Sequence, residues 1–269
     1  MQTQPIFGCM ISPSTIHCSI GLLGGIGPWA GLDVHQKILE LSDHTIEQEC
    51  VSIMHLSYPR DYSDRTEFLL GKTDINPADA FVKVLRSMER QGVDVAAIIC
   101  NTAHASSIIG EIRSQLLNSS LIYINIIEET QKRIEKDGLK KVGLLATTGT
   151  CKFGLYKNGF SGELITPVQA DQKRVHNCIY HVDYGLKVHY PKVKEFLYDE
   201  LEEIGNRLVK NGAEALVLGC TELPLLKELK NRFDVPVYDP NQILAESLMT
   251  EAKAISALKQ KPQLIQNIS

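Results

Sequence analysis

Cys100 and Cys220 stand 120 residues apart inside two versions of one phrase, GVDVAAIICNTAH at 92–104 and GAEALVLGCTELP at 212–224. In each version a short apolar run, residues 95–99 and 215–218, leads into a cysteine followed by a small polar residue. That is the pattern of a buried parallel strand opening directly into a loop. A duplicated unit that presents one thiol from each half would supply acid–base chemistry with two groups, since a thiolate can take a proton and a thiol can give one. A cysteine is ordinarily a small buried hydrophobe. The repeated setting separates these two from Cys9, Cys18, Cys50, Cys151 and Cys178.

Two further echoes support a duplication. SIGLLGGIGP at 19–28 is mirrored by KVGLLATTGT at 141–150, with Gly21 and Gly143 offset by 122 residues, and LIYIN at 121–125 pairs with VPVYD at 235–239. The period is that of a domain, not of a short-repeat solenoid. Apolar runs near 20–23, 50–56, 95–99, 121–125, 142–145, 164–166, 215–218 and 235–238 predict strands. Helical patterning predicts helices over 29–43, 77–91, 103–117, 127–137, 173–185, 192–211, 223–231 and 242–257. Gly92, Gly138 and Gly212 sit where helices should stop before the next strand. Strands alternating with helices imply right-handed βαβ units and sheets covered on both faces.

The expected fold class is α/β, with two pseudo-symmetric three-layer domains, parallel sheets and a site in the cleft between them. Residues 1–18 read as an N-terminal extension, 19–122 plus 236–269 as a discontinuous first domain, and 123–235 as the second, the last helix packing back on the first half. In open parallel sheets ligands bind beyond the carboxyl ends of the strands. The loops at 24–28, 100–102, 147–150 and 220–222 all fall there and would line one cleft.

Composition bounds the partners. A formal net charge of −4, spread without blocks, offers no electrostatic footprint for nucleic acid or an anionic membrane. The apolar stretches are far shorter than the roughly 20 residues that span a bilayer. The first 18 residues lack the basic start and long apolar segment of a secretory signal. Seven scattered cysteines do not resemble a secreted disulfide framework, so the cytoplasm is the expected compartment.

From about residue 19 to 249 the chain resembles the cofactor-independent aspartate/glutamate racemase family, and within it the aspartate racemase branch. The stretches that carry the likeness are GLLGGIGPWAGLD at 21–33, SDRTEFLL at 63–70, IICNTAH at 98–104, KVGLLATTGT at 141–150 and GCTELPLL at 219–226. The resemblance implies racemisation by two cysteines, Cys100 and Cys220, one deprotonating Cα on one face while the other returns a proton to the opposite face. It implies no pyridoxal phosphate, other cofactor or metal, a small dicarboxylic amino acid as the partner, and a homodimer. Abstracting a proton α to a carboxylate without an electron sink requires a thiolate held close in a dry site, and two enantiomers require two such groups.

Supporting roles follow by position. Both cysteines are expected at helix N-termini, where partial positive charge favours a thiolate and backbone N–H groups bind carboxylate. Asn101, Thr102 and Thr221 can donate to the α-carboxylate, or else cap helices. Gly25 and Gly27 in the first loop are expected to bind substrate, and Thr147, the counterpart of Gly25 in the second half, is expected to hold its amino or carboxylate group, or else to be a simple turn residue. Arg65 within SDRT has the planar fork that matches a distal carboxylate. Glu222 stands where glutamate racemases carry a histidine, and could accept or relay the thiol proton. The aspartate branch has a lysine shortly before a glycine in a stretch like 179–185. Here Asp183 and Tyr184 occupy that place and Lys187 lies just beyond Gly185, which leaves distal-carboxylate binding and aspartate specificity open.

Other readings stay open on this scaffold, including a maleate-type isomerase, a hydantoin-type racemase and a catalytically silent binding protein. A decarboxylase needs a single protonating thiol, so the second cysteine disfavours it. The glycines at 21, 24, 25 and 27 do not have dinucleotide spacing. A site of Cys100, His104, Cys220 and Glu222 lacks the close-spaced ligand pairs of structural zinc.

Overall fold

The fold is described from a computed structural model over residues 16–266, so most of the expected N-terminal extension and the last three residues lie outside the described residues. Strands and helices alternate: β1 (Ser19–Gly24), α1 (Pro28–Glu40), β2 (Ser52–Ser57), α2 (Arg65–Leu69), α3 (Ala78–Arg90), β3 (Val95–Ile98), α4 (Ser106–Gln115), β4 (Ile122–Ile124) and α5 (Ile126–Lys136). The series then runs β5 (Lys141–Leu145), α6 (Thr148–Lys152), β6 (Glu163–Ile165), α7 (Gln169–Tyr180), α8 (Leu186–His189), α9 (Phe196–Lys210), β7 (Ala215–Leu218), β8 (Val237–Tyr238) and α10 (Pro240–Gln266).

The strands form two four-stranded sheets with orders β2-β1-β3-β4 and β6-β5-β7-β8, every pairing parallel. Counted from the first strand of each half, the two orders are identical, which is the structural form of the sequence echo. The central strands β3 (VAAI) and β7 (ALVL) are buried at every residue, as strands covered on both faces must be. Gly21 faces Met88 of α3 and Val93 on one side of the first sheet, while Gly24 faces the α1 side. In the second sheet, Gly143 faces Leu208 of α9, whereas Val142, Leu144, Ala215 and Val217 join a core shared with α5 and the first sheet. The last helix, α10, lies against α1, α5 and strands β1, β3 and β4.

Gly92, Gly138 and Gly212 follow α3, α5 and α9 with φ of 84°, 76° and 101°, the left-handed stop expected of them. Several boundaries differ from expectation. The switches placed near Tyr123 and Val235 come a strand too early, because the edge strands β4 and β8 hydrogen-bond to β3 and β7, and the chain leaves each sheet only after Ile124 and Tyr238. Residues 223–231 form two 3₁₀ turns (Leu223–Leu225 and Leu229–Arg232) and not one helix. Leu223 and Leu225 are both buried, although they would point to opposite sides of a regular helix. The helix expected over 173–185 starts at Gln169 and ends at Tyr180, followed by the separate turn of α8.

That break matters for position. The Gly185 N–H donates to the His181 carbonyl at 2.7 Å, so α8 starts tight against the end of α7. A Cβ on Gly185 would run into the backbone nitrogen of His181 and lie 2.7 Å from its oxygen, atoms that cannot swing aside. Gly185→Ala is therefore expected to push α8 outward and to lower stability by about 1–3 kcal/mol, as overpacking does. Urea unfolding reads this, and a midpoint unchanged from that of the parent would contradict it.

Candidate active site

β1 and β3 are neighbours whose connections leave in opposite directions, as are β5 and β7, so each sheet has its crevice where those strands end. Cys100 follows β3 and Cys220 follows β7, and each is only 5% exposed. The turns after them are short. Cys100 leads into the 3₁₀ turn Thr102–His104 before α4 starts at Ser106, and Cys220 precedes the 3₁₀ turn Leu223–Leu225. The expected placement at α-helix N-termini is thereby corrected. The Cys220 thiol is pushed well above the ordinary cysteine value, by burial first and the Glu222 charge second, which outweigh Lys187 and the Glu222 backbone N–H that favour the thiolate.

Glu222 organises this wall. Its Oε2 accepts from Cys220 Sγ at 3.0 Å and from Thr221 Oγ1 at 3.3 Å, while Oε1 accepts from Lys187 Nζ at 2.5 Å and Gly27 N at 3.3 Å. Burial works against its charge, yet Lys187 and these hydrogen bonds prevail and hold the carboxyl below its usual range. Lys187 answers in kind, since burial alone would lower it, but Glu222 and then Tyr180 and both thiols raise it above the ordinary lysine value. Its Nζ also stands 5.4 Å over the Tyr180 ring. Gly27 has no room for a side chain, because a Cβ there would meet Glu222 Oε1. Its N–H, expected to face substrate, donates here to Glu222.

Arg65, the first residue of α2, is nearly buried, and its charge is supported against desolvation by Cys100 and Tyr180. Its Nη1 donates to the Ser63 carbonyl at 3.2 Å, while its Nε, Thr66 Oγ1 and Asn101 Nδ2 are buried without a partner. Unpaired buried donors are costly, so each of these atoms is available to a ligand's acceptor. Asn101 Oδ1 accepts from Tyr156 Oη at 2.6 Å. Thr147 caps α6 by accepting from Thr150 N, and its hydroxyl lies 3.1 Å from that of Thr150, which is 3.2 Å from the Thr102 hydroxyl. Gly25 takes φ of 89° beside the Tyr58 and Pro59 backbone, so it serves the shape of the loop. His104 has both ring nitrogens engaged, by the Cys100 carbonyl at 2.8 Å and Tyr123 Oη at 2.6 Å.

Cys18, Cys151 and Cys178 have thiols pushed up to about 12, chiefly by burial, and none is hydrogen-bonded to these groups. Among the described residues no helix is long and apolar enough to cross a membrane.

Residues 23–248 match the profile of the family described as Asp/Glu/hydantoin racemase. The chain belongs to the Asp/Glu/hydantoin racemase family. Its enzyme class is accordingly that of the amino-acid racemases, which are isomerases. The racemase is similar in structure to an aspartate racemase of Picrophilus torridus, at 27% identity and a TM-score of 0.72 over 87% of this chain and 94% of that one. It is 25% identical to the broad-specificity amino-acid racemase RacX of Bacillus subtilis over 86% of this chain and 96% of that protein. A glutamate racemase of Limosilactobacillus reuteri is 26% identical over 77% of this chain and 73% of its own length.

Of the residues singled out in the sequence, Thr221 and Glu222 lie at Cys220, Arg65, Asn101 and Thr102 at Cys100, Thr147 is linked to Thr102 through Thr150, Gly27 bonds Glu222 and Gly25 shapes its loop. Sequence reasoning did not single out Tyr180 or Tyr156, whose places depend on where α7 ends and how the turn after α6 folds. Lys187 had a visible signal, a lysine beside Gly185, and the turn of α8 carries it into the site of this racemase.

Because the Glu222 charge raises Cys220, Glu222→Gln is expected to move Cys220 ionisation to lower pH, and the freed Lys187 charge adds to the same shift. Ultraviolet thiolate absorbance in a Cys100→Ser background follows the titration. A midpoint unmoved or displaced upward would contradict the assignment.

Proposed function

We propose that this enzyme interconverts the enantiomers of an acidic amino acid, aspartate first and glutamate next, with Cys100 and Cys220 as its acid/base pair. The reading rests on one observation above others. Two thiols at equivalent strand ends of a repeated unit flank a buried pair of cations, Arg65 and Lys187, of which Lys187 is within electrostatic reach of both thiols. Lys187 is paired with Glu222, so the guanidinium of Arg65 is the positive group left to meet a substrate carboxylate. The likeness to the Picrophilus aspartate racemase supports aspartate as the first choice.

The step conserves its protons. For one enantiomer the Cys100 thiolate takes the Cα proton, the electron pair left on carbon spreads into the α-carboxylate, and the Cys220 thiol delivers its proton to the opposite face. The pair ends as Cys100 thiol and Cys220 thiolate, the form that runs the other enantiomer backwards. Glu222 and burial keep Cys220 protonated in the empty site, which makes it the acid of the first turnover. The partnerless Arg65 Nε, Thr66 Oγ1 and Asn101 Nδ2 receive the carboxylate oxygens. Since the site residues are nearly fully buried, substrate enters when the halves part and reacts when they close.

The same reading makes the protein a cytoplasmic homodimer. Free cysteines support the compartment, and the exposed Trp29, Leu32 and Leu39 on α1 offer apolar surface for a second copy.

Cys100→Ser and Cys220→Ser are each expected to cut racemisation of aspartate at least about 100-fold, the usual scale for losing a positioned acid or base. Arg65→Met should raise KM roughly 10–100-fold, the loss of a hydrogen bond to a charged group. Polarimetry on both enantiomers measures these. Normal racemisation by both serine variants would end the two-thiol reading.

A further inference from the structure

Each cysteine turn is held from across the cleft. Asn101, next to Cys100 in the first half, has its Oδ1 bonded at 2.6 Å by the hydroxyl of Tyr156, which follows α6 in the second half. Thr102 in the same turn shares its hydroxyl with Thr150 of α6. Conversely Thr221, next to Cys220 in the second half, has its carbonyl bonded at 2.9 Å by Asn241 Nδ2, from the first turn of α10, which packs on the first sheet. Glu222 in that turn accepts from Gly27, just before α1.

We propose that Tyr156 and Asn241 are reciprocal positioning residues, each aligning the thiol of the opposite half, so that both thiols are set only when the halves are together.

Three observations carry this. Both side chains are essentially fully buried, Tyr156 at 1% and Asn241 at 0% exposure, so water cannot replace what they bond. Asn101 Nδ2 has no partner, which leaves the Tyr156 hydroxyl to orient that amide. Asn241 is oriented by charge, because its Nδ2 also donates at 2.8 Å to Asp33 of α1, and Lys37 clasps Asp33 at 2.6 Å and Asp239 at 2.8 Å. One half uses a phenol directly, and the other uses an amide steered by a carboxylate.

The consequence is catalytic order. When the cleft opens for substrate, both turns lose their clamps, so neither thiol is aimed while water fills the site. Closure restores both together, which suits a reaction that needs an acid and a base at once. This kinetic consequence rests on the two-thiol reading, whereas the clamping itself does not.

The test is alkylation of the ligand-free, reduced protein with iodoacetamide, read cysteine by cysteine through peptide mass spectrometry, with buried Cys178 as the reference for general loosening. Tyr156→Phe is expected to speed Cys100 labelling about tenfold while Cys220 and Cys178 keep their rates. Asn241→Leu should speed Cys220 about tenfold and spare Cys100. Where Asn241→Leu does not fold, Asp33→Asn weakens the same link from α1. Equal acceleration of both thiols in either variant, or no acceleration, overturns the proposal. In the racemisation assay each variant is expected to lose about tenfold or more in kcat with KM changed less than about twofold. Selective labelling in a protein that racemises neither acid would remove the catalytic reading and keep the clamps, while unselective labelling in an active enzyme would do the reverse.

Discussion

A carboxylate that is 1% exposed cannot keep its charge without partners, and the second wall of the site is built around meeting that requirement for Glu222. Lys187 supplies the opposite charge, Gly27 an N–H that only a residue without a side chain can bring so near, and Cys220 its thiol proton. Each partner comes from a different segment: the short helix α8, the loop after β1 and the turn after β7. Removing one partner of such a buried pair leaves an uncompensated charge, which typically costs 3–5 kcal/mol. The arrangement thus fixes three segments relative to one another and at the same time sets the resting protonation of one thiol.

The repeat supplies the geometry in which that charge is useful. Identical strand orders put the end of β3 and the end of β7 at equivalent places, and the crossing contacts of Tyr156 and Asn241 tie each turn to the other half. Symmetry is close in the backbone and deliberately broken in chemistry. Cys220 faces a carboxylate and a lysine, whereas Cys100 lies by the guanidinium of Arg65. A mirror-image reaction asks for similar positions on two faces of one carbon, while a single proton in transit asks that the two groups start in different states.

Much of this was legible in the chain because it rests on local rules. Apolar runs bounded by Gly92, Gly138 and Gly212 report buried strands after helix stops, and the duplicated Cys100 and Cys220 phrases report their own register. What failed to show depends on packing at a distance. The chain after each cysteine folds into a 3₁₀ turn in which Leu223 and Leu225, like Thr102 and His104, are buried by elements distant in sequence. The expected placement of both thiols at α-helix N-termini fails with those helices. Lys187 could be noticed beside Gly185, but its ion pair with Glu222 required knowing that α7 ends at Tyr180 and that the chain turns at once. Asn241 looks like an ordinary cap residue beside Asp239 until Thr221 and Asp33 are found around it.

The central claim is that two different thiols serve opposite faces of the substrate carbon, and isotope placement during a single conversion tests it most directly. Reduced protein would be incubated with L-aspartate in heavy water, and the two enantiomers separated early and examined by NMR. The account predicts deuterium at Cα of the newly formed D-aspartate, with protium retained in the L-aspartate recovered at the same time. Deuterium appearing equally in both from the outset, or protium carried from substrate into product, would mean that one group serves both faces and would contradict it.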